Sequence, residues 1–301
     1  MSAIRKGGVA VITGAAGGIG YAFAEQALRS GMNVVISDIR EEALEAARVE
    51  LAGQGADVLA VRTDVTSEAE VNDLAAKAEQ HFGKVNLLIN NAGAFVGGLA
   101  WETSAAQFDW ITDLNFKSVA HGIRTFVPRM IAQGDPCHVI TVASAAGISV
   151  YPGYATYSPT KHAALALTEA LYLDLLSEGI DNIGVTAVMP GMVRTQIMDP
   201  EKASPLKLDR SSRHANSTVR GIEKMMSAAL DRAMPPEELA QRVFAAADAG
   251  QLYVLPNHDD ERCKALGQAI GNGRATGFNP WPELLARTQE SMARADAAPA
   301  P

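Results

Sequence analysis

The sequence predicts an α/β protein built on one doubly wound parallel sheet of about seven strands, with helices on both faces. Three observations carry this. Short apolar runs alternate along the chain with longer segments of helical periodicity. Runs such as VAVIT, NLLIN and VITVA are apolar almost throughout, as strands are when both sheet faces are covered. The first run ends in a glycine-rich turn that opens a helical pattern, the unit from which parallel sheets are assembled.

The strand candidates are 9–13, 33–38, 57–62, 86–90, 138–142, 183–189 and 252–255. Helical patterns fall between them at 19–30, 41–53, 68–82, 108–134, 157–179 and 235–250. Repeated strand–helix units imply parallel strands joined by right-handed crossovers. The chain shows no internal repeat and no linker composition, so residues 1–256 are expected to form one domain. Two segments break the alternation. Residues 195–234 form an insertion longer than such connections usually are, which suggests a lid or binding loop. Residues 257–301 form an extension, helical at first and expected to be disordered in its final ADAAPAP.

Composition narrows the function classes. Hydrophobic residues make up 48% of the 301 residues and charged residues 20%, ample for a packed core. The net charge is −8, which repels a phosphate backbone and argues against nucleic acid as a partner. No apolar run is long enough to span a membrane. Cys137 and Cys263 make no disulfide framework and suit a reducing compartment. The opening MSAIRKGGVAVITG breaks at Gly14, too early for a signal peptide, so a cytoplasmic location is expected. The six histidines are scattered without metal-ligand spacing, and no metal is expected.

After the first strand comes Thr13-Gly14-Ala15-Ala16-Gly17-Gly18-Ile19-Gly20, a G-x-x-x-G-x-G pattern. Gly14 suits a tight turn, Gly18 lets backbone approach a pyrophosphate, and Gly20 lets the helix pack close to the sheet. The helix start then turns free N–H groups and partial positive charge toward the phosphates. Glycine turns alone are common. Here the turn follows the first strand, and an acid, Asp38, ends the next one. This is the Rossmann-like dinucleotide pattern. Asp38 can accept both hydroxyls of an adenosine ribose and repels a 2′-phosphate. Neither Gly17 nor Ile39 is basic, so NAD is favoured over NADP. Arg40, two residues on, is a base that can swing toward a phosphate. The competing role for Asp38 is to cap the helix that begins near Glu41.

In Tyr157-Ser158-Pro159-Thr160-Lys161, the tyrosine and lysine stand at i and i+4 and share one helix face. Pro159 suits the first turn, so Tyr157 should lie at a helix start. An ammonium beside a phenol stabilises phenolate and lowers its pKa, as does a nearby nicotinamide cation. Such a tyrosine can exchange a proton with an alcohol/ketone pair. Upstream, Ser144 ends the strand candidate VITVA, on the side where ligands bind in open α/β sheets. Its hydroxyl can hold a substrate oxygen near the phenol. Ser149 and Ser158 are the rival serines.

Taken in order, TGAAGGIG, Asp38, Asp64-Val65, Asn90-Asn91-Ala92-Gly93, Ser144, YSPTK and Pro190-Gly191 followed by Thr195 resemble the short-chain dehydrogenase/reductase family. The likeness covers about residues 9–255. It implies a catalytic tetrad of Asn115, Ser144, Tyr157 and Lys161, with Asn115 distorting its helix and holding a water in a proton relay to the lysine. It further implies that Ile19 joins the glycine loop, and that Asp64 and Val65 flank an adenine ring. Asn90, Asn91, Ala92 and Gly93 would line the adenosine side. Val193 and Thr195 would hold the nicotinamide carboxamide. A turn acid remains the competing role for Asp64.

The expected chemistry is NAD-dependent interconversion of a secondary alcohol and its ketone. The substrate pocket is expected from Phe95, Tyr151, Tyr154, Met192 and Met198, with Ser144, and with Val96, Trp101, Ile148 and Ile197 nearby. That lining suits a bulky hydrophobic or aromatic alcohol. The long insertion and tail also resemble the branch of the family that oxidises benzylic alcohols, including lignin-derived aryl ethers. The alternatives are an NADPH-linked carbonyl or ketoacyl reductase and a non-catalytic dinucleotide sensor. Apolar surplus on the helices at 108–134 and 157–179, together with the family's pairing of these helices, implies a homodimer, with a homotetramer as the alternative.

Overall fold

The computed structural model describes residues 2–53, 57–195, 197, 233–255, 261–283 and 285–286. Most of the insertion and the end of the extension, including the expected disordered tail, lie outside the described residues. The elements run β1 (Val9–Thr13), α1 (Gly18–Arg29), β2 (Asn33–Asp38), α2 (Glu41–Ala52), β3 (Val58–Arg62), α3 (Glu68–Phe82) and β4 (Leu87–Asn90). They continue with α4 (Ala105–Thr112), a π-helical turn (Asp113–Lys117), α5 (Ser118–Gln133), β5 (Cys137–Val142) and α6 (Tyr157–Ser177). The chain then forms β6 (Ile183–Val188), α7 (Pro236–Asp248), β7 (Tyr253–Val254) and α8 (Glu261–Thr276).

The seven strands lie in the order β3-β2-β1-β4-β5-β6-β7, and every neighbouring pair is parallel. This is the doubly wound sheet that the sequence predicts. β1 shows why the strands read as continuous apolar runs. Its Ala10 and Ile12 face α1, α2 and α7 through Phe23, Leu44, Leu51, Leu239 and Val243. Its Val9 and Val11 face α3, α5 and α6 through Leu74, Ala78, Phe126, Met130 and Leu171. Alternate side chains enter opposite helical layers, so both phases of the strand must be apolar.

The sequence pattern at 108–134 reads as one helix. The structure begins helical geometry at Ala105, where the Ser104 hydroxyl accepts from Gln107 N and Gln107 reaches back to Ser104 N. That reciprocal cap sets the start. The helix then widens through the π-helical turn before α5. Side-chain periodicity does not register one extra residue in a turn, so the sequence pattern passes over it.

Strand order reverses between β1 and β4, and the connections that follow these two strands leave toward opposite faces of the sheet. The C-terminal ends of β1, β4, β5 and β6 therefore open a cleft, the place where open α/β sheets bind ligands.

Candidate active site

The cleft floor is the junction of β1 with β4. Thr13 Oγ1 donates to Ile89 O (3.3 Å) and accepts from Asn91 N (3.0 Å) and Ala92 N (3.1 Å). Asn91 Nδ2 donates to Thr13 O (2.8 Å) and Gly14 O (3.1 Å). The glycine turn is thus fastened to the end of β4 by two side chains. Family likeness singles out Asn91 but the sequence does not single out Thr13, because nothing in its local pattern separates it from any strand-end threonine.

Two glycines are demanded by geometry. Gly14 has φ +64°, and a Cβ there would stand 2.9 Å from Ala92 Cα. A Cβ on Gly20 would stand 2.3 Å from Gly14 O and 2.6 Å from Asn91 Nδ2. The start of α1 lies over the turn with no side-chain cap and no acid in its first turn. Uncapped N–H groups above a turn of glycines and alanines suit a pyrophosphate. Ile19 packs on the core beneath, and Thr195 faces Gly18 across the cleft, its Cγ2 3.3 Å from where a Cβ would be.

Asp38 closes one end, only 6% exposed. Its Oδ2 accepts from Ala16 N (3.2 Å) and Arg40 Nη2 (3.0 Å), and its Oδ1 accepts from Arg40 N (3.0 Å) and Nε (3.0 Å). It makes no cap to α2, whose N-cap is Arg40. Asp64 is engaged locally: Oδ1 accepts from Thr66 N (2.9 Å) and Thr66 Oγ1 (2.7 Å), as a turn acid does. Val65 is buried in the core, and its carbonyl lies 3.1 Å from His121 Nδ1.

At the other end, Tyr157 is the first residue of α6, as Pro159 requires. Ser144 follows β5 beside the Tyr157 phenol, and its hydroxyl accepts from Ala146 N (3.1 Å). Of the rival serines, Ser149 donates to Ala145 O (2.9 Å), away from the phenol. Lys161 Nζ donates to Val142 O (2.9 Å) and lies 5.8 Å from the centre of the Tyr157 ring. Asn115 sits inside the π-helical turn, fully buried. Its Oδ1 accepts from Ala94 N (3.0 Å), and its Nδ2 donates to Ala94 O (3.0 Å) and Thr160 Oγ1 (3.2 Å). Gly93 threads between the groups: a Cβ there would lie 3.0 Å from Asn115 Oδ1 and 3.3 Å from Lys161 Nζ. All four candidate residues therefore converge on one corner, although Asn115 and Tyr157 are far apart in the chain.

The electrostatics differ from the sequence expectation in one respect. The spacing predicts a lowered phenol. In the folded chain burial raises the Tyr157 pKa above its ordinary value, and the Ser144 hydrogen bond pulls it down by less. Burial also lowers Lys161 to about 8. One low-dielectric corner disfavours both charged forms.

Around the phenol stand Phe95, Tyr151, Tyr154, Met192 and Ile197 in one apolar cluster. Phe95 meets Tyr157 edge-on at 5.2 Å and Tyr154 at 4.8 Å, and Tyr151 lies 5.3 Å from Tyr154. Met198 lies outside the described residues. Three neighbours expected in the pocket are elsewhere. Val96 is buried against Ile111, and Ile148 packs on Leu165 and Met189. Trp101 is 79% exposed. Loops turn alternate side chains away from the cleft, which an apolar count along the chain does not register. Pro190 O accepts from Ala145 N (2.9 Å), tying the Ser144 loop to the segment through Gly191 and the buried Val193. Arg194 N donates to Met234 O (3.0 Å), and Met234 N to Met192 O (3.2 Å), so the two ends of the insertion are joined at the cleft. Among the described residues there is no cluster of metal-ligating side chains and no helix long and apolar enough to cross a membrane.

Comparison with known proteins agrees with this geometry. The family model described as short chain dehydrogenase matches residues 8–205. A CLA biosynthesis dehydrogenase/reductase of Lactiplantibacillus plantarum is 34% identical over 83% of this chain and 88% of its own. A C alpha-dehydrogenase of a Sphingobium species is 32% identical over 82% of this chain and 80% of its own. The crystal structure of a short chain dehydrogenase/reductase from Burkholderia phymatum in complex with NAD superposes with a TM-score of 0.85 at 34% identity, covering 93% of this chain and 98% of that one. The chain belongs to the short-chain dehydrogenase/reductase family and is an oxidoreductase that acts on CH–OH groups with a nicotinamide dinucleotide.

Proposed function

We propose that this enzyme oxidises a bulky, hydrophobic or aromatic secondary alcohol to its ketone with NAD. The observation that carries the reading is the buried Tyr157 phenol, with Ser144 beside it, enclosed by Phe95, Tyr151, Tyr154 and Met192. A sugar would leave its hydroxyls unpaired against such walls, whereas an aryl group gains from edge-to-face contact with them. A nicotinamide dinucleotide held along the glycine turn would supply the acceptor for the hydride of the carbinol carbon. The chain supplies the rest. Ser144 Oγ holds the substrate oxygen beside the phenol. Tyr157 Oη takes the hydroxyl proton, and the Lys161 ammonium stabilises the phenolate that precedes this transfer. Asn115 holds the backbone of Ala94 and the Thr160 hydroxyl, which sets the wall opposite Tyr157. The adenosine ribose is read by Asp38, and this favours NAD over NADP.

The assembly reading is a homodimer through α5 and α6. It rests on Leu173 (60% exposed), Leu176 (65%) and Ile131 (41%), a smaller surplus than the sequence suggests. Phe126, Val127, Met130, Leu165, Leu171 and Leu175 are buried within this chain.

The test is kcat/KM with NAD and NADP, each against a panel of aryl and alkyl secondary alcohols and the matching ketones. The expected result is turnover led by NAD with aryl alcohols. A preference for NADP with ketones would replace this reading by the reductase, and NAD binding without any turnover would replace it by the sensor.

A further inference from the structure

Thr156 is the residue before Tyr157 and the N-cap of α6, yet its side chain does not cap the helix. An N-cap threonine ordinarily accepts from the second or third helical amide. Here the third helical residue is Pro159, which has no N–H, and the second amide, Ser158 N, already donates to Tyr154 O (3.0 Å). The hydroxyl is thereby released from the helix. It donates instead to Val96 O (2.7 Å), 60 residues away, and Thr156 is fully buried. The receiving segment alternates as a strand does. Ala94 and Val96 pack on Ile111, while Phe95 between them turns into the apolar cluster around the phenol. Its backbone is held at three points: Ala94 by Asn115, Val96 by Thr156, and Gly98 N on Gly153 O (2.9 Å).

One bond thus joins the residue before the proton-carrying tyrosine to the residue after the ring that walls it. Phe95 meets Tyr157 at 5.2 Å with 65° between the ring planes. Apolar packing is non-directional, so the mutual placement of two rings from distant segments needs a directional link. Asn115 supplies one at Ala94, and Thr156 supplies the other at Val96. We propose that Thr156 is a positioning residue that sets substrate specificity: its hydroxyl fixes Phe95 against Tyr157, so that an aryl group on the carbinol carbon is held with the alcohol oxygen at the phenol. Without the hydroxyl, the carbonyl of Val96, a residue 1% exposed, loses this donor, and the segment must shift to recover one. A shift of Phe95 misplaces a substrate that leans on the ring and spares one too small to reach it. The proposal rests on the reading above that the alcohol sits among these rings. A purely structural clasp on α6 is the rival, and its loss lowers activity toward all alcohols alike.

The experiment measures kcat/KM for sec-phenethyl alcohol and for sec-butanol, with whichever of NAD and NADP the wild type uses better. The proteins are the wild type, Thr156→Val, Thr156→Ala, Thr156→Ser, Phe95→Ala, and Phe95→Ala combined with Thr156→Val. Crystal structures of the unliganded wild type and Thr156→Val accompany the kinetics. Thr156→Val keeps the shape and loses the hydroxyl. Its ratio of aryl to alkyl kcat/KM should fall at least about fivefold, the worth of one neutral hydrogen bond, and its Phe95 ring should move off Tyr157. Thr156→Ala, the second variant without the hydroxyl, is read the same way. Thr156→Ser keeps the hydroxyl and should hold the ratio within about twofold of the wild type. In the Phe95→Ala background, Thr156→Val should change the ratio by less than about twofold, because the threonine acts through that ring. An equal fall with both alcohols identifies the structural clasp and overturns the proposal. A ratio that falls alike in both backgrounds overturns it as well. If the wild type favours sec-butanol or turns over neither alcohol, the aryl reading fails separately, and the structures decide: a Phe95 ring unmoved in Thr156→Val overturns the positioning role.

Discussion

His138 gives a pH dependence that can be worked from the structure. It lies in β5, 5% exposed, opposite Gly184 of β6. A Cβ on Gly184 would stand 2.4 Å from His138 Nδ1, so the ring fits only because that partner lacks a side chain. The Thr186 hydroxyl donates to Gln251 O (2.8 Å) and so must accept from His138 Nε2 (2.8 Å). The neutral ring is thereby satisfied, and a second proton would place a charge inside the sheet. Burial pushes the His138 pKa down from 6.5 to about 4. Between these values the unfolded chain binds a proton that the folded chain refuses. Stability is therefore fully present above pH 6.5, falls as pH drops through the window, and stops falling below about 4. At about 1.4 kcal/mol per pKa unit the loss is about 3 kcal/mol. Urea unfolding of the wild type and of His138→Gln, from pH 8 to 4, measures it. The two proteins should differ by a constant amount above about pH 6.5, and the wild type should lose about 3 kcal/mol more below it. Parallel curves throughout, or a wild type that gains stability relative to the variant as pH falls, would refute the reasoning.

Three further outcomes are expected. Tyr157→Phe removes the proton-carrying oxygen and leaves the ring contacts with Phe95 and Tyr154, so turnover should fall by at least about 10²-fold while NADH titration still shows binding; turnover within about tenfold of wild type would remove the tyrosine from proton transfer. Gly20→Ala forces a methyl against the Gly14 carbonyl, so urea unfolding should show a loss of about 1–3 kcal/mol and NADH should bind at least about tenfold more weakly; unchanged binding would mean that the turn does not hold the pyrophosphate. Light scattering at micromolar concentration should show a dimer for the wild type and a monomer for Leu173→Glu combined with Leu176→Glu; a monomeric wild type sinks the α5–α6 interface, and a tetramer shows that the extension leaves a second contact open.

What was legible in the sequence was local. The alternation of strands and helices, the glycine turn after β1, the carboxylate closing β2 and the i, i+4 placement of Tyr157 and Lys161 are all periodic or short-range patterns. Each is set by backbone geometry within one element and its turn, so the fold class and the corner occupied by Tyr157, Lys161 and Ser144 were readable without coordinates. Asn115 was legible only through family likeness, because its partners Ala94 and Thr160 come from other elements. The rest depended on register and crossover, which bring distant segments together without leaving a period in the chain. Thr13 fastening β4 to the glycine turn, Val96 and Ile148 turning into the core, and the helix residues that fill this chain's own interior belong to that class. So does the direction of the Tyr157 shift. Charge spacing along a helix is visible in a sequence, but the desolvation that raises the phenol depends on how closely the whole fold packs around it, and that only the tertiary structure decides.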